Sequence, residues 1–213
     1  MKQVLVYADS LSWGIIPDSR QRFSFEQRWP GHLENLINHT DKSIRIIEDC
    51  LNGRRTVLDD PFKPGRNGLE GLQQRIEINS PLSLIIIMLG NNDFQSPHSF
   101  TAAEAAQGVA SLVNSIRQAP VEPGMLAPDI LLICPPPIIE PKGVIAAKFR
   151  GAEIKWKGFD SALKQISKQL NCYYFDAGEH ISASKVDGIH LDLEQHQRLA
   201  EALNPVVKNL LNL

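Results

Sequence analysis

Val4-Leu5-Val6-Tyr7-Ala8-Asp9-Ser10-Leu11-Ser12-Trp13-Gly14 begins three residues into the chain and decides how the rest is read. Residues 4–8 are apolar without a helical period, which suits a strand covered on both faces, as in a parallel sheet. The run stops at Asp9-Ser10, and small and polar residues follow. In open α/β sheets ligands bind outside the carboxyl ends of the strands, so Ser10 stands where a nucleophile would be useful. Taken alone, the pair reads first as a helix cap, because both residue types accept hydrogen bonds from orphan backbone N–H groups.

Outward from this strand the chain alternates. Residues 26–39 read as a helix with Trp29, Leu33, Leu36 and Ile37 on one stripe, and Pro30 suits a start near Trp29. Residues 43–48 read as a second strand ending in Asp49-Cys50-Leu51-Asn52-Gly53-Arg54. After a Pro- and Gly-rich loop, residues 69–78 form a short helix. Leu84-Ile85-Ile86-Ile87-Met88-Leu89 is the strongest strand signal, a central buried strand that ends at Gly90-Asn91-Asn92-Asp93. Residues 101–117 are helical, with Thr101 and Glu104 spaced as a capping box. Residues 129–134 form a fourth strand stopped by three prolines. A long helix is expected over 151–170, a fifth strand over 172–175, and a last helix capped by Asp192 and kinked or restarted at Pro205. This alternation predicts one domain over residues 1–213. It is a three-layer α/β/α fold with a parallel five-stranded sheet in the flavodoxin-like order 2-1-3-4-5.

Composition narrows the function. The formal charge of −2 gives no electrostatic case for nucleic acid or an anionic membrane. No apolar run approaches the roughly 20 residues that span a bilayer, and the first residues lack a cationic stretch before an apolar signal core. Cys50, Cys134 and Cys172 are odd in number and widely spaced, which suggests neither a zinc site nor a disulfide framework. Free thiols in a reducing cytoplasm are expected.

In the 2-1-3 order the first three strand ends converge. They bring together Ser10, Gly53 and Asn92: a nucleophile with a backbone N–H and a side-chain amide suited to an oxyanion hole, the Ser10 N–H being a third donor. Of the histidines, His180 and His190 follow the fifth strand. His190 is preferred because Asp187, separated from it by Gly188-Ile189, could reach its Nδ1 and leave Nε2 for Ser10. Asp9 is read as an anchor for the turn, Asp93 as a holder of its loop. Trp13 is a candidate substrate wall, with plain packing equally open.

These residues carry a resemblance. Ala8-Asp9-Ser10-Leu11-Ser12-Trp13-Gly14, Leu51-Asn52-Gly53-Arg54, Gly90-Asn91-Asn92-Asp93 and Asp187-Gly188-Ile189-His190 occur in the order of the four blocks of the SGNH (GDSL) hydrolases. Within that family the chain looks like the small bacterial arylesterase/acyltransferase branch. The resemblance implies an SGNH hydrolase fold and a lipolytic-type serine esterase. Ser10, Asp187 and His190 would be its triad, and Ser10, Gly53 and Asn92 its oxyanion hole. One departure is visible: Ala8 stands where the family usually has Gly, a concern if that position needs φ > 0 or close packing.

The expected activity is therefore hydrolysis of small aryl or short-chain carboxylic esters, with acyl transfer as a side activity and without metal or organic cofactor. A carbohydrate O-deacetylase and an acyl-CoA thioesterase would use the same triad. A non-catalytic binding module is the reading of another class. Residues 135–149, rich in Ile, Val and Ala after the fourth strand has ended, read as an exposed apolar patch, with folding back over the protein's own core as the alternative. They point to a homo-oligomer whose contacts shape the pocket.

Overall fold

Leu84–Met88 is an uninterrupted aliphatic run with every side chain buried, and it forms the middle strand of the sheet. In this computed structural model, which describes residues 1–40 and 42–213, five strands lie in the order β2-β1-β3-β4-β5. They are β1 (Lys2–Ala8), β2 (Ile44–Cys50), β3 (Leu84–Met88), β4 (Asp129–Cys134) and β5 (Tyr173–Asp176). All four pairings are parallel. The central strands are covered on both faces. Edge strand β2 is not, and it carries an exposed Arg45 between buried Ile44 and Ile46. Each fully buried aliphatic side chain contributes about 1.5–3 kcal/mol, so the three inner strands dominate the core.

The helices are α1 (Ser10–Trp13), α2 (Trp29–Ile37), α3 (Leu72–Asn79), α4 (Ala102–Arg117), α5 (Ala152–Lys155), α6 (Phe159–Gln169) and α7 (Leu193–Leu210). α2 packs on α7, while α4 packs on α3 and α6. Right-handed crossovers produce this division: the chain turns one way from β1 to β2 and the other way through β3, β4 and β5. Thr101 and Glu104 close both halves of a capping box at α4, as their spacing predicts. Among the described residues no helix is long and apolar enough to cross a membrane.

Four sequence expectations need correction. The helix expected over 151–170 is two helices. α5 ends at Lys155, and Gly158 at φ +87° lets Phe159 restart the chain as α6, with its ring fully buried against Phe94 and Trp156. Asp192 makes no side-chain cap on α7, because its carboxylate instead accepts a hydrogen bond from Ser184 Oγ at 2.9 Å. Of the kink or restart expected at Pro205 the restart is absent: α7 runs through it as one helix, on a side where Glu201 and Pro205 are exposed. Segment 135–149 is not one exposed patch: Ile138 and Phe149 enter the core and Ile145 is half-buried, leaving Val144 as its most exposed apolar side chain. Ala8 raises no difficulty. It sits fully buried in β1 with ordinary extended backbone.

The α2–α7 contact contains a buried histidine. His196 is inaccessible, accepts the Trp29 N–H on Nδ1 at 3.2 Å, and meets Phe23 edge-on. Burial, with the nearby charges of His190 and Arg28, pushes its pKa down from 6.5 to about 3. The folded protein thus binds fewer protons at this site than the unfolded chain across that interval. The stability it contributes is complete above about pH 6.5 and is lost as pH falls towards 3. His196→Gln, which keeps an acceptor for Trp29, should flatten the acid limb of the stability profile by up to about 1.4 kcal/mol per pH unit. Urea unfolding across the acid range measures this; an unchanged slope would place the acid sensitivity elsewhere.

Candidate active site

The register of β1 brings the candidate residues to one level. Ala8 pairs with Cys50 of β2 and Met88 of β3, and Ser10, Gly53 and Asn92 follow two, three and four residues past those strand ends. Asp9 divides the two sequence readings of the Asp-Ser pair. Its side chain caps α1 by accepting the Leu11 N–H at 3.0 Å, while Ser10, the first residue of the helix, lines a cleft. Gly14 closes the turn, donating its N–H to Ser10 O at 3.0 Å.

The loop after β5 supplies the opposite wall. Asp187 Oδ1 accepts the N–H groups of Ile189 and His190, each at 2.9 Å, and Oδ2 lies 2.7 Å from His190 Nδ1. His190 Nε2 lies 3.2 Å from Ser10 Oγ. A proton on Nδ1, facing the carboxylate, leaves Nε2 as the acceptor for the serine hydroxyl. Burial pushes the Asp187 carboxyl up, but the His190 hydrogen bond and charge, with the two backbone donors, outweigh it and hold the group down at about 2. Gly188 makes this tight turn feasible: its φ is +81°, and a Cβ there would stand 2.4 Å from Glu140 O. His180 lies elsewhere, stacked on Phe175.

Three N–H donors surround Ser10. Neither the Ser10 N–H nor the Gly53 N–H takes an acceptor among the described residues, and Gly53 turns at φ +80°. Asn92 Nδ2 donates one hydrogen to Asp9 Oδ2 at 2.8 Å, which leaves its second hydrogen free. Asn92 Oδ1 accepts from Gln95 Nε2 at 2.6 Å. Gln95 Oε1 in turn accepts from Arg55, whose guanidinium pairs with Asp60 at 2.8 Å. Gln95 and Arg55 are fully buried, so the Asn92 amide is fixed in orientation by a hydrogen-bonded chain that ends in the Arg55–Asp60 ion pair.

Sequence reasoning did not find Gln95 or Arg55. The adjacent basic pair Arg54-Arg55 is the one trace of it in the sequence, and by composition it reads as surface charge. Arg54 is employed differently. Its guanidinium lies 3.9 Å over the Tyr7 ring, pairs with Asp49 at 2.7 Å and donates to Ala8 O at 3.1 Å.

Two further carboxyls sit beneath the site. Asp93 accepts the Thr56 N–H at 3.1 Å and the Thr56 hydroxyl at 3.0 Å, fastening the loop after β3 to the loop after β2. Burial pushes Asp93 up to about 7 and Asp9 up to about 6, against the hydrogen bonds each accepts.

The cleft above Ser10 has a volume of about 140 Å³. Ile15, Val144 and Phe149 form its apolar side and Asn52, Asp60 and Lys148 are among its polar residues. Trp13, the candidate wall, does not line it. Trp13 is the last residue of α1, and its ring lies under the Arg22 guanidinium at 4.7 Å, so packing is the reading that the structure supports. Ile15, two residues on, takes the wall position.

Residues 9–198 match the family model of the GDSL-like lipase/acylhydrolases. The chain belongs to this family. It shares its fold with a carbohydrate acetylesterase family member from Sinorhizobium meliloti, at 34% identity, TM-score 0.93 and full coverage of both chains. An aryl esterase from M. smegmatis superposes with TM-score 0.92 at 32% identity, over 99% of this chain and all of the other. No curated protein sequence matches the chain. The architecture is that of the SGNH hydrolases, and the class of reaction is hydrolysis of a carboxylic ester.

Proposed function

We propose that the chain hydrolyses small esters through a Ser10–His190–Asp187 triad. The observation that carries the reading is the continuous contact from Asp187 to His190 to Ser10, at 2.7 and 3.2 Å, inside a cleft whose backbone donors have no other partner among the described residues. Ser10 Oγ attacks the ester carbonyl as His190 Nε2 takes its proton. Asp187, fully ionised at neutral pH, holds the imidazole in orientation and balances the charge it gains. The negative oxygen of the tetrahedral intermediate is held by the Ser10 N–H, the Gly53 N–H and the free hydrogen of Asn92 Nδ2. His190 then returns its proton to the leaving alcohol. Water repeats the sequence on the acyl-enzyme and releases the acid; an alcohol in its place gives the acyl-transfer side reaction.

The small cleft favours short acyl groups. The likeness to an aryl esterase supports aryl esters as substrates, while the polar side of the cleft, with Asn52 and Asp60, favours an acetylated sugar as the second reading. A panel of aryl, alkyl, thio- and acetyl-sugar esters separates these readings from one another and from a thioesterase. The three cysteines are free, with Cys134 buried and its thiol raised by burial, which accords with a reducing, cytoplasmic setting.

Ser10→Ala should lower ester turnover by about 10⁴ or more while leaving the unfolding transition in place. A phosphonate ester should label the parent protein at Ser10 and leave the variant unlabelled, as mass spectrometry would read. Full activity in the variant ends the assignment, and an unlabelled parent supports a binding module instead.

Asn92→Ala should lower kcat by about 10²–10³ with little change in KM. Gln95→Met, which frees the Asn92 amide without deleting it, should give a smaller loss in the same parameter, about tenfold or more. A loss confined to KM in both variants would make Asn92 a contact to the ground-state substrate.

The homo-oligomer also belongs to this proposal. Val144 and Val186 are exposed around the cleft and the His190 loop, Val144 at 82%. Covering such a rim would narrow access to Ser10. Light scattering at micromolar concentration should return a multiple of 23.7 kDa, and Val144→Glu should dissociate the assembly and shift chain-length preference together. A monomeric mass removes the idea; dissociation with unchanged preference would make the interface structural only.

A further inference from the structure

The cleft holds more positive charge than the esterase chemistry requires. Arg20, Lys63 and Lys148 line it together with Ser10, and Asp60 is its one acidic lining residue. The Asp60 carboxylate is already engaged by the buried Arg55 guanidinium at 2.8 Å, and Lys148 Nζ reaches it only at 3.9 Å. Among the described residues Arg20 and Lys63 form no ion pair. The chain as a whole carries a formal charge of −2, so this excess is local to the cleft and opposite in sign to the protein.

The backbone of Lys148 is held in place. Its N–H donates to Ile145 O at 3.0 Å, and its carbonyl accepts the Ser96 N–H at 2.8 Å. Its ammonium stands over Gly53, 3.9 Å from where a side chain on that residue would begin, and so beside a donor of the proposed oxyanion hole. Burial, and the nearby Arg55, Lys63 and Arg20, push the ammonium pKa down against the pull of Asp60. A partly exposed cation short of anions, with the apolar Ile15, Val144 and Phe149 lining the same cleft, is a site that a negative group would complete.

We propose that the ester substrate carries an anionic group, a carboxylate or a group of like charge, which Lys148 holds beside the reacting carbonyl with Lys63 and Arg20 at the cleft mouth. This inference rests on the esterase reading and names the substrate class of the same site. The shared chemistry is an anion within reach of the ester; the acyl half and the alcohol half are its two possible carriers.

The test compares matched esters differing only in charge. 4-Acetoxybenzoate against 4-acetoxybenzamide places the charge in the alcohol half, monophenyl adipate against its terminal amide places it in the acyl half, and phenyl acetate is the reference. One anionic ester should exceed its amide by about tenfold or more in kcat/KM, mainly through KM, and the preference should shrink with added salt as the exposed charges are screened. Lys148→Gln and Lys63→Gln should each raise KM for that anionic ester more than for its amide, and Lys148→Glu should reverse the preference. Turnover of phenyl acetate with no preference for either anion overturns this inference and leaves the esterase reading standing. A Lys148→Gln loss in kcat that is equal for charged and neutral esters also overturns it, because Lys148 would then serve the oxyanion of any ester. If phenyl acetate and both anionic esters go unhydrolysed, the esterase reading falls and this inference with it.

Discussion

Parallel pairing of β1 with β2 and β3 is the constraint on which the site depends. Ala8 lies opposite Cys50 on one side and Met88 on the other, so the three strands finish at one level. A slip of one residue in either pairing would turn every side chain of that strand to the other face. Val4, Leu5 and Val6 are wholly buried, as are Leu84, Ile85 and Ile86, so the register is fixed by the core. The strand-end loops are then tied laterally. Asn92 reaches Asp9 at 2.8 Å, Asp93 reaches Thr56, and Arg54 donates to Ala8 O. Breaking a buried bond of this kind leaves an unsatisfied polar group, which costs about 1–3 kcal/mol. The loops carrying Ser10, Gly53 and Asn92 therefore behave as extensions of the sheet.

Three carboxyls at this edge differ in pKa because burial raises Asp9 and Asp93 more than their hydrogen bonds lower them, while the His190 contact reverses the balance at Asp187. Asp187 accepts two backbone N–H groups and faces the His190 ring at 2.7 Å, and it stays ionised, at about 2. Asp9, with one backbone and one amide donor, is raised to about 6 by burial, and Asp93 to about 7. The strongest and most acid-resistant negative charge near His190 is therefore the one on its Nδ1 side. Under the proposed mechanism this matters. The His190 imidazolium formed when Ser10 gives up its proton is stabilised from the side that also orients it, and Asp9 is left to hold the turn.

What the sequence disclosed follows the same physics. The strand ends were legible because β1 and β3 are continuous apolar runs, and Ser10, Gly53, Asn92, Asp187 and His190 stand out by residue type and spacing in the loops beyond β1, β2, β3 and β5, where the structure brings them to one cleft. The supporting chain was not legible. Gln95 has no spacing signal, and Arg55 is recognisable only once Asp60 and Gln95 are seen to bury it. Helix expectations failed where two choices compete for one residue. The period of residues 151–170 runs across Gly158, but its left-handed turn breaks the helix. Asp192 has the composition of a cap, but Ser184 takes its carboxylate first. Trp13 looked like a wall because it follows Ser10 closely, whereas the short helix α1 turns it towards Arg22.

Segment 135–149 shows why the walls of the site are harder to read than its chemistry. Its backbone supports the His190 loop: the Ile139 N–H donates to Gly188 O at 3.1 Å, and the Lys142 N–H donates to Asp187 O at 3.0 Å. Further on, Val144, Ile145, Lys148 and Phe149 line the cleft, and Lys148 O accepts the N–H of Ser96, one residue beyond Gln95. One stretch therefore joins the loop that carries His190, a wall of the cleft, and the end of the hydrogen-bonded chain that reaches Asn92. Its apolar residues serve both the core, through Ile138 and Phe149, and the cleft, through Val144 and Ile145. A residue with two such duties carries no periodic pattern of either, which is why composition alone made the segment look like one exposed patch. The same coupling constrains specificity. A change in this wall that moves its backbone also moves the N–H donors that hold the carbonyls of Asp187 and Gly188, so under the proposed mechanism the shape of the cleft and the placement of His190 are coupled.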